Sequence, residues 1–310
     1  MCDNGTTVTE FFMIGFRSIS DLKILLFILL LITYILILFG NVFIILLVST
    51  CHHLNVPMYI FLRNLSLADV LFTTNIMPKM LHVILKEGSP ISTTGCLIQY
   101  YVYLASTYTQ SLILTVMAFD RYLAICHPLR YPSIMNQNLC CHLVYWPWAI
   151  CFLLLQTEIA FLLQVKFCGS NIIEHFYCDF VPILAIASSD TSTVETEDFV
   201  FGIPFMFLPF IFVTASYLCI LVSIFKMTSI AGRWKAFSTC SAHLATILIF
   251  FVTQITIYTF PVGNETFQGK TVKYLLYTVL TPFINPILYS MRNHEIKRAI
   301  LQLFFVNNTK

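Results

Sequence analysis

The chain has 310 residues, 58% of them hydrophobic and 10% charged. A soluble domain averages about 45–50% apolar and about 25% charged residues, so this composition excludes an ordinary soluble enzyme, a disordered chain and a nucleic-acid binder. Seven membrane spans of about 20 residues or slightly more would leave only short loops and tails, without room for a soluble catalytic domain, and the net charge of +2 selects no partner.

Residues 1–22 are polar and mixed, with no hydrophobic core of the signal-peptide kind. The first apolar run, 24–48, is long enough to be a retained span. Six more runs of helical length follow, at 58–85, 100–125, 143–163, 200–225, 237–262 and 272–291, and only the connection 164–199 is long. No repeat of the kind that builds inverted-repeat transporters is visible. The expected fold class is therefore an all-α membrane protein, a single seven-transmembrane helix bundle over 1–310. Its outer tail is 1–23, its bundle 24–291 and its inner tail 292–310. In the tail, Ile296, Ile300, Leu303 and Phe304 recur at helical spacing between basic residues, which predicts a short amphipathic helix on the inner membrane surface.

Basic residues set the orientation. With the N-terminus outside, the inner side holds the larger share of Lys and Arg, including Arg121, Arg130, Arg233, Lys235, Arg292, Lys297 and Arg298. Of the eleven cysteines, Cys151, Cys219 and Cys240 lie inside apolar runs and Cys51, Cys126, Cys140 and Cys141 at their ends, where a free thiol behaves as a small hydrophobe.

Two patterns carry more chemistry. Asp120-Arg121-Tyr122 stands at the inner end of span three, where an arginine needs a partner or a route to water. The pair is either a releasable latch or an interfacial anchor. Span seven ends Pro282-Phe283-Ile284-Asn285-Pro286-Ile287-Leu288-Tyr289. Each proline lacks an N–H and frees the carbonyl four residues earlier, so the helix has a weak point or a static kink there, and Asn285 can satisfy freed groups or reach another span.

With these patterns the chain resembles the rhodopsin-like G-protein-coupled receptors. Four longer stretches are similar to the tetrapod-type olfactory receptors: Pro57-Met58-Tyr59 through Ala68-Asp69, Met117-Ala118-Phe119-Asp120-Arg121-Tyr122 through Arg130-Tyr131, Lys235-Ala236-Phe237 through His243-Leu244, and Pro286-Ile287-Leu288-Tyr289-Ser290-Met291-Arg292-Asn293. The resemblance implies a non-enzymatic receptor for small volatile odorants in the plasma membrane of olfactory sensory neuron cilia. It also implies coupling to a heterotrimeric G protein of the stimulatory olfactory type, with a rise in cyclic AMP. Membrane lipid is the expected surround, and no cofactor, metal or nucleic acid is expected. A receptor for a non-odorant small molecule outside the nose is the alternative, and a transporter a remote third reading. The switch would comprise Asp120, Arg121, Tyr122, Asp69, Asn285, Pro286 and Tyr289.

The resemblance also implies a Cys96–Cys178 disulfide tying the second outer loop over the bundle. The family usually has three cysteines in that loop. Here Ser188 stands at the third position, which leaves Cys168 free or paired elsewhere, with Cys2 the other outer candidate. Gln110 stands where many members of the family carry a glutamate, so the sodium site that the resemblance would build around Asp69 lacks one negative charge, and no bound metal is expected there.

Below Cys96, helical spacing puts Tyr100, Tyr103, Leu104, Thr107 and Tyr108 on one face of span three. Family geometry sets Phe201 and Phe205 of span five, Phe251, Gln254, Ile255 and Tyr258 of span six and Thr278 of span seven against it. Such a set suits a small, mostly neutral ligand held by burial and one or two hydrogen bonds, one of them from the Tyr258 hydroxyl. Tyr103 stands where amine receptors carry an aspartate and no ionisable group lies on this face, so a cationic amine is not the expected ligand, and span seven has no mid-span lysine for retinal. Asn4, in Asn4-Gly5-Thr6, is the expected glycosylation site of the outer tail.

Overall fold

The computed structural model describes residues 8–15, 22–259, 267–292 and 294–305. Its helices run in chain order as α1 (Lys23–Thr50), α2 (Pro57–Lys86), α3 (Thr93–Cys126), α4 (Tyr131–Ile134), α5 (Gln137–Leu162), α6 (Phe180–Leu184), α7 (Ser192–Glu197), α8 (Ile203–Lys226), α9 (Ile230–Thr259), α10 (Phe267–Arg292) and α11 (His294–Phe305). The long helices α1, α2, α3, α5, α8, α9 and α10 are spans one to seven. Five helical stretches among the described residues are long and apolar enough, by length and composition, to cross a membrane.

Span three is the axis of the bundle: 67% of its most apolar stretch is buried, against 22% for spans one and four. The outward faces of the peripheral helices remain apolar, with Phe39, Leu208 and Phe225 each more than 60% exposed. A water-facing surface of that kind would aggregate; hydrocarbon is its natural solvent.

Several helices start before the apolar run that announced them. Span three begins at Thr93 because the Ser92 side chain accepts a hydrogen bond from the Gly95 N–H at 3.1 Å, and span four at Gln137 because Asn136 accepts from the Leu139 N–H at 2.9 Å. A capped first turn is helical but polar, so hydropathy does not see it.

The outer end carries a sheet that composition gave no reason to expect. Strands β1 (Glu10–Met13), β2 (Ser89–Ser92) and β3 (Ile172–Ile173) lie in the order β2-β1-β3. β1 is antiparallel to β2 and parallel to β3. Phe11 and Met13 point inward and are fully buried, so the tail strand stitches the first two outer loops together. At the other end Ile296 and Ala299 of α11 are fully buried against the bundle. The expected amphipathic helix is present, and it packs on protein with those two residues; the side chains of Leu303 and Phe304 lie outside the described residues.

Span seven shows how its prolines are accommodated. Pro286 frees the Pro282 carbonyl, and the Asn41 amide of span one donates to that oxygen at 3.1 Å. Gly40, one residue earlier, lets the proline in: a Cβ there would sit 3.0 Å from the Pro286 ring.

Candidate functional site

The site is built from the outer end inward. The second outer loop is tied to span three by the Cys96–Cys178 disulfide, with Cα atoms 5.5 Å apart. The Cys178 N–H donates to Gln99 Oε1 at 2.9 Å, and Gln99 is held to Asn75 of span two through paired amide bonds at 2.9 and 2.8 Å. Cys168 is disulfide-bonded as well, which decides the alternatives left open for it; Cys2 and Asn4 lie outside the described residues. Tyr177 of the loop closes over Tyr103, ring centroids 5.1 Å apart.

Inside this lid, His175 and Asp179 are buried. His175 Nδ1 bonds the Tyr177 carbonyl at 2.9 Å, its ring meets Tyr274 edge-on at 4.4 Å, and burial pushes its pKa down to about 4. Asp179 caps α6 by accepting from the Phe180 N–H at 2.9 Å and also bonds Tyr274; burial pushes its pKa up to about 6.

Beneath the lid a cavity of about 60 Å³ opens between spans three, five and six. Of the expected ligand set it is lined by Thr107, Tyr108, Phe205, Phe251 and Gln254. Tyr103 and Leu104 are buried in packing instead, Tyr103 among Phe72, Tyr177 and Tyr277. Phe201 is half exposed on the outer side of span five. Ile255 is partly buried beside the cavity without lining it. Thr278 is fully buried and donates to its own Tyr274 carbonyl at 2.7 Å. The Tyr258 side chain lies outside the described residues. Next to the cavity the Gln254 amide donates to the Tyr277 hydroxyl at 2.7 Å, which meets the Thr107 hydroxyl at 3.2 Å, so one chain of polar groups joins spans six, seven and three.

The remaining lining residues were not anticipated: Ser111, Asp198, Gly202, Ile203, Met206 and Phe250. Ser111 is one helical turn below Thr107, so extending the same spacing would have found it. Asp198 was hidden for a structural reason. It opens a π-turn, Asp198–Gly202, in which the Ile203 N–H bonds back five residues to the Asp198 carbonyl. This turn joins α7 to α8, so the helix starts well before the apolar run and brings a carboxylate into the cavity.

Further in, the Asn285 amide donates to Asp69 Oδ2 at 2.9 Å, joining the span-seven weak point to span two. Tyr289 is buried near the same inner half. At the inner end Asp120 is fully buried and pairs with Arg121 at 2.9 Å, while Tyr131 of α4 donates to the other carboxylate oxygen at 2.8 Å. Tyr122 turns away and bonds His127 at 3.0 Å. The structure thus brings Asp120 together with Arg121 and Asp69 together with Asn285.

A seven-helix bundle with a disulfide-tied outer loop and a small cavity between spans three, five and six is the architecture of the rhodopsin fold. Squid rhodopsin in its crystal structure superposes with a TM-score of 0.69 at 18% identity, covering 93% of this chain and 87% of that one. The olfactory receptor family model matches residues 30–307. Among similar proteins are olfactory receptor-like protein COR4 of Gallus gallus, 40% identical over 98% of this chain and 97% of its own length, and olfactory receptor 11A1 of Homo sapiens, 39% identical over 98% and 96%. The chain belongs to the olfactory receptor family, a class of multi-pass membrane receptors and not of enzymes.

Proposed function

We propose that this receptor binds a small volatile molecule in the cavity between spans three, five and six and activates a stimulatory G protein, raising cyclic AMP. The observation that carries this reading is the cavity itself. It is walled by Phe205, Met206, Phe250 and Phe251, carries polar groups at Thr107, Tyr108, Ser111, Asp198 and Gln254, and lies below a loop tied to span three by a disulfide. Burial of an apolar ligand against such walls is favourable by about 25 cal/mol per Å². The span-three face carries no carboxylate, and the cavity's carboxylate is Asp198, just ahead of span five.

Ligand seated against Phe250 and Phe251 presses on span six, whose inner half packs near Arg121. The Asp120–Arg121–Tyr131 cluster is the group to be broken when the inner end opens to a G protein. The Asp69–Asn285 bond lies between, where span seven is weakened by Pro286. The N-terminus outside and the C-terminus inside, as the basic residues suggest, place lid and latch on the correct sides. Residence in sensory cilia and a plasma-membrane lipid surround follow from the same reading. Cells carrying the receptor and a cyclic-AMP reporter, screened with volatile panels, test it. A ligand-dependent rise is expected, and ligand uptake without any rise would point to a transporter.

A further inference from the structure

We infer that the receptor's ligand carries a basic amine, held by Asp198 at the outer end of the cavity. The inference deepens the reading of this cavity as the ligand site and rests on it. Asp198 lines the cavity among Phe205, Met206, Phe250 and Phe251. Among the described residues it has neither a cation nor a hydrogen-bond donor: the ion pairs there join Lys23 with Glu87 and Arg121 with Asp120. Its acidic neighbours are otherwise engaged. Glu158 takes the Tyr100 hydroxyl, Glu197 the Thr157 hydroxyl, and Asp179 the Phe180 N–H. Asp198 is the member of this group left facing open space. Removing a carboxylate from water without a partner is costly, and a protonated amine entering the cavity is the partner that would restore its bonds.

Gly202 shows that the chain makes room for the carboxylate. A Cβ at that position would lie 2.4 Å from Asp198 Oδ1 and 3.2 Å from the Tyr108 hydroxyl. Any larger residue would push the carboxylate out of the place it occupies. An independent observation points to a ligand in the same space. Ser111 lines the cavity, is 4% exposed, and its hydroxyl has no hydrogen-bond partner. A buried hydroxyl is ordinarily satisfied, so the cavity offers an acceptor charge on span five and an unused hydroxyl on span three. The ligand class is thus an alkyl or cycloalkyl amine, its ammonium at Asp198 and its carbon body among the phenylalanines. Volatile amines of this kind are protonated at neutral pH and still partition into air as the free base.

The test uses the full receptor in cells with a reporter that reads several G-protein types, together with thermal melting of the purified receptor. The probes are matched sets: cyclohexylmethylamine, hexylamine and N,N-dimethylhexylamine, their alcohols, and their parent hydrocarbons. The wild type should be activated and stabilised by amines ahead of the alcohols. Asp198→Asn should raise the amine half-maximal concentration by about 10- to 150-fold, the range expected for a hydrogen bond to a charged group, while surface expression is kept. Asp198→Glu should recover part of the response. Amines that stabilise the wild type but not Asp198→Asn, with no signal through any G protein, would uphold the ligand class and overturn the odorant-receptor reading. Alcohols or hydrocarbons that activate while amines neither bind nor signal would overturn the ligand class and uphold the receptor. An amine response equal in wild type and Asp198→Asn would also overturn it.

Discussion

Asp120 accepts from two sides, Arg121 on the same helix and Tyr131 on the inner loop, and each bond has its own expected cost. Arg121→Ala should abolish G-protein signalling at near-normal surface expression, because the group that must be released is gone; full signalling would refute the latch. Tyr131→Phe removes one donor to an ion-paired carboxylate, worth about 1.5–3 kcal/mol, and should raise ligand-free signalling by about 10- to 150-fold, read as reporter output without odorant. The lid holds a second pair whose effects oppose each other. His175 is neutral in the fold with its pKa near 4, so the unfolded lid binds the extra proton and stability falls as pH drops from about 6.5 to 4. Asp179, with a pKa near 6, is protonated in the folded lid where the unfolded one is charged, so its contribution falls as pH rises from about 4 to 6. The wild-type lid should therefore be nearly indifferent to pH between about 4 and 6. Asp179→Asn keeps the cap but leaves His175 unopposed, and lid amides over residues 165–180 should lose hydrogen-exchange protection as the pH is lowered. Protection that stays flat in the mutant would contradict the assignment. The groups facing this pair are the rings of Tyr177 and Tyr274, with Asp198 contributing at longer reach.

Elements differ in how openly the sequence announced them. Runs of apolar residues located all seven spans, because lipid-facing helices must be apolar on their outer faces. The helix ends were concealed wherever a polar cap or first turn lay outside the run, as at Ser92 and Asn136. The same blindness hid the π-turn at Asp198–Gly202, and with it the one carboxylate of the cavity. Thr107, Tyr108, Phe205, Phe251 and Gln254 were legible from helical spacing and family geometry; the burial of Tyr103 was not, since it depends on rings from three other elements, Phe72, Tyr277 and the lid's Tyr177. The lid itself is tested through its bond. Cys96→Ser and Cys178→Ser should each block maturation, and the double mutant should be no worse, because residues sharing one interaction do not add. Additive loss of surface receptor would mean that each thiol acts alone.

At the scale of the whole molecule, orientation is the property on which lid, cavity and latch all depend. A glycan on Asn4, detected as a gel shift abolished by Asn4→Gln and by glycosidase, would place the tail outside; a glycan on Asn307 would invert the molecule. The outer sheet bears on something else again, the order of assembly. The Asn171 amide bonds the Glu10 carbonyl across a sequence separation of 161 residues, and β1 gains β3 only when that stretch has been made. At about 5–20 residues per second, the first strand waits for about 8–32 seconds after its own synthesis. During that interval Phe11, Phe12 and Met13 have one or both edges open to other chains. A chain that translates slowly through spans two to four lengthens this exposure, so the yield of folded receptor should depend partly on the timing of its ribosome, with four residues of the tail as the clock's most sensitive part.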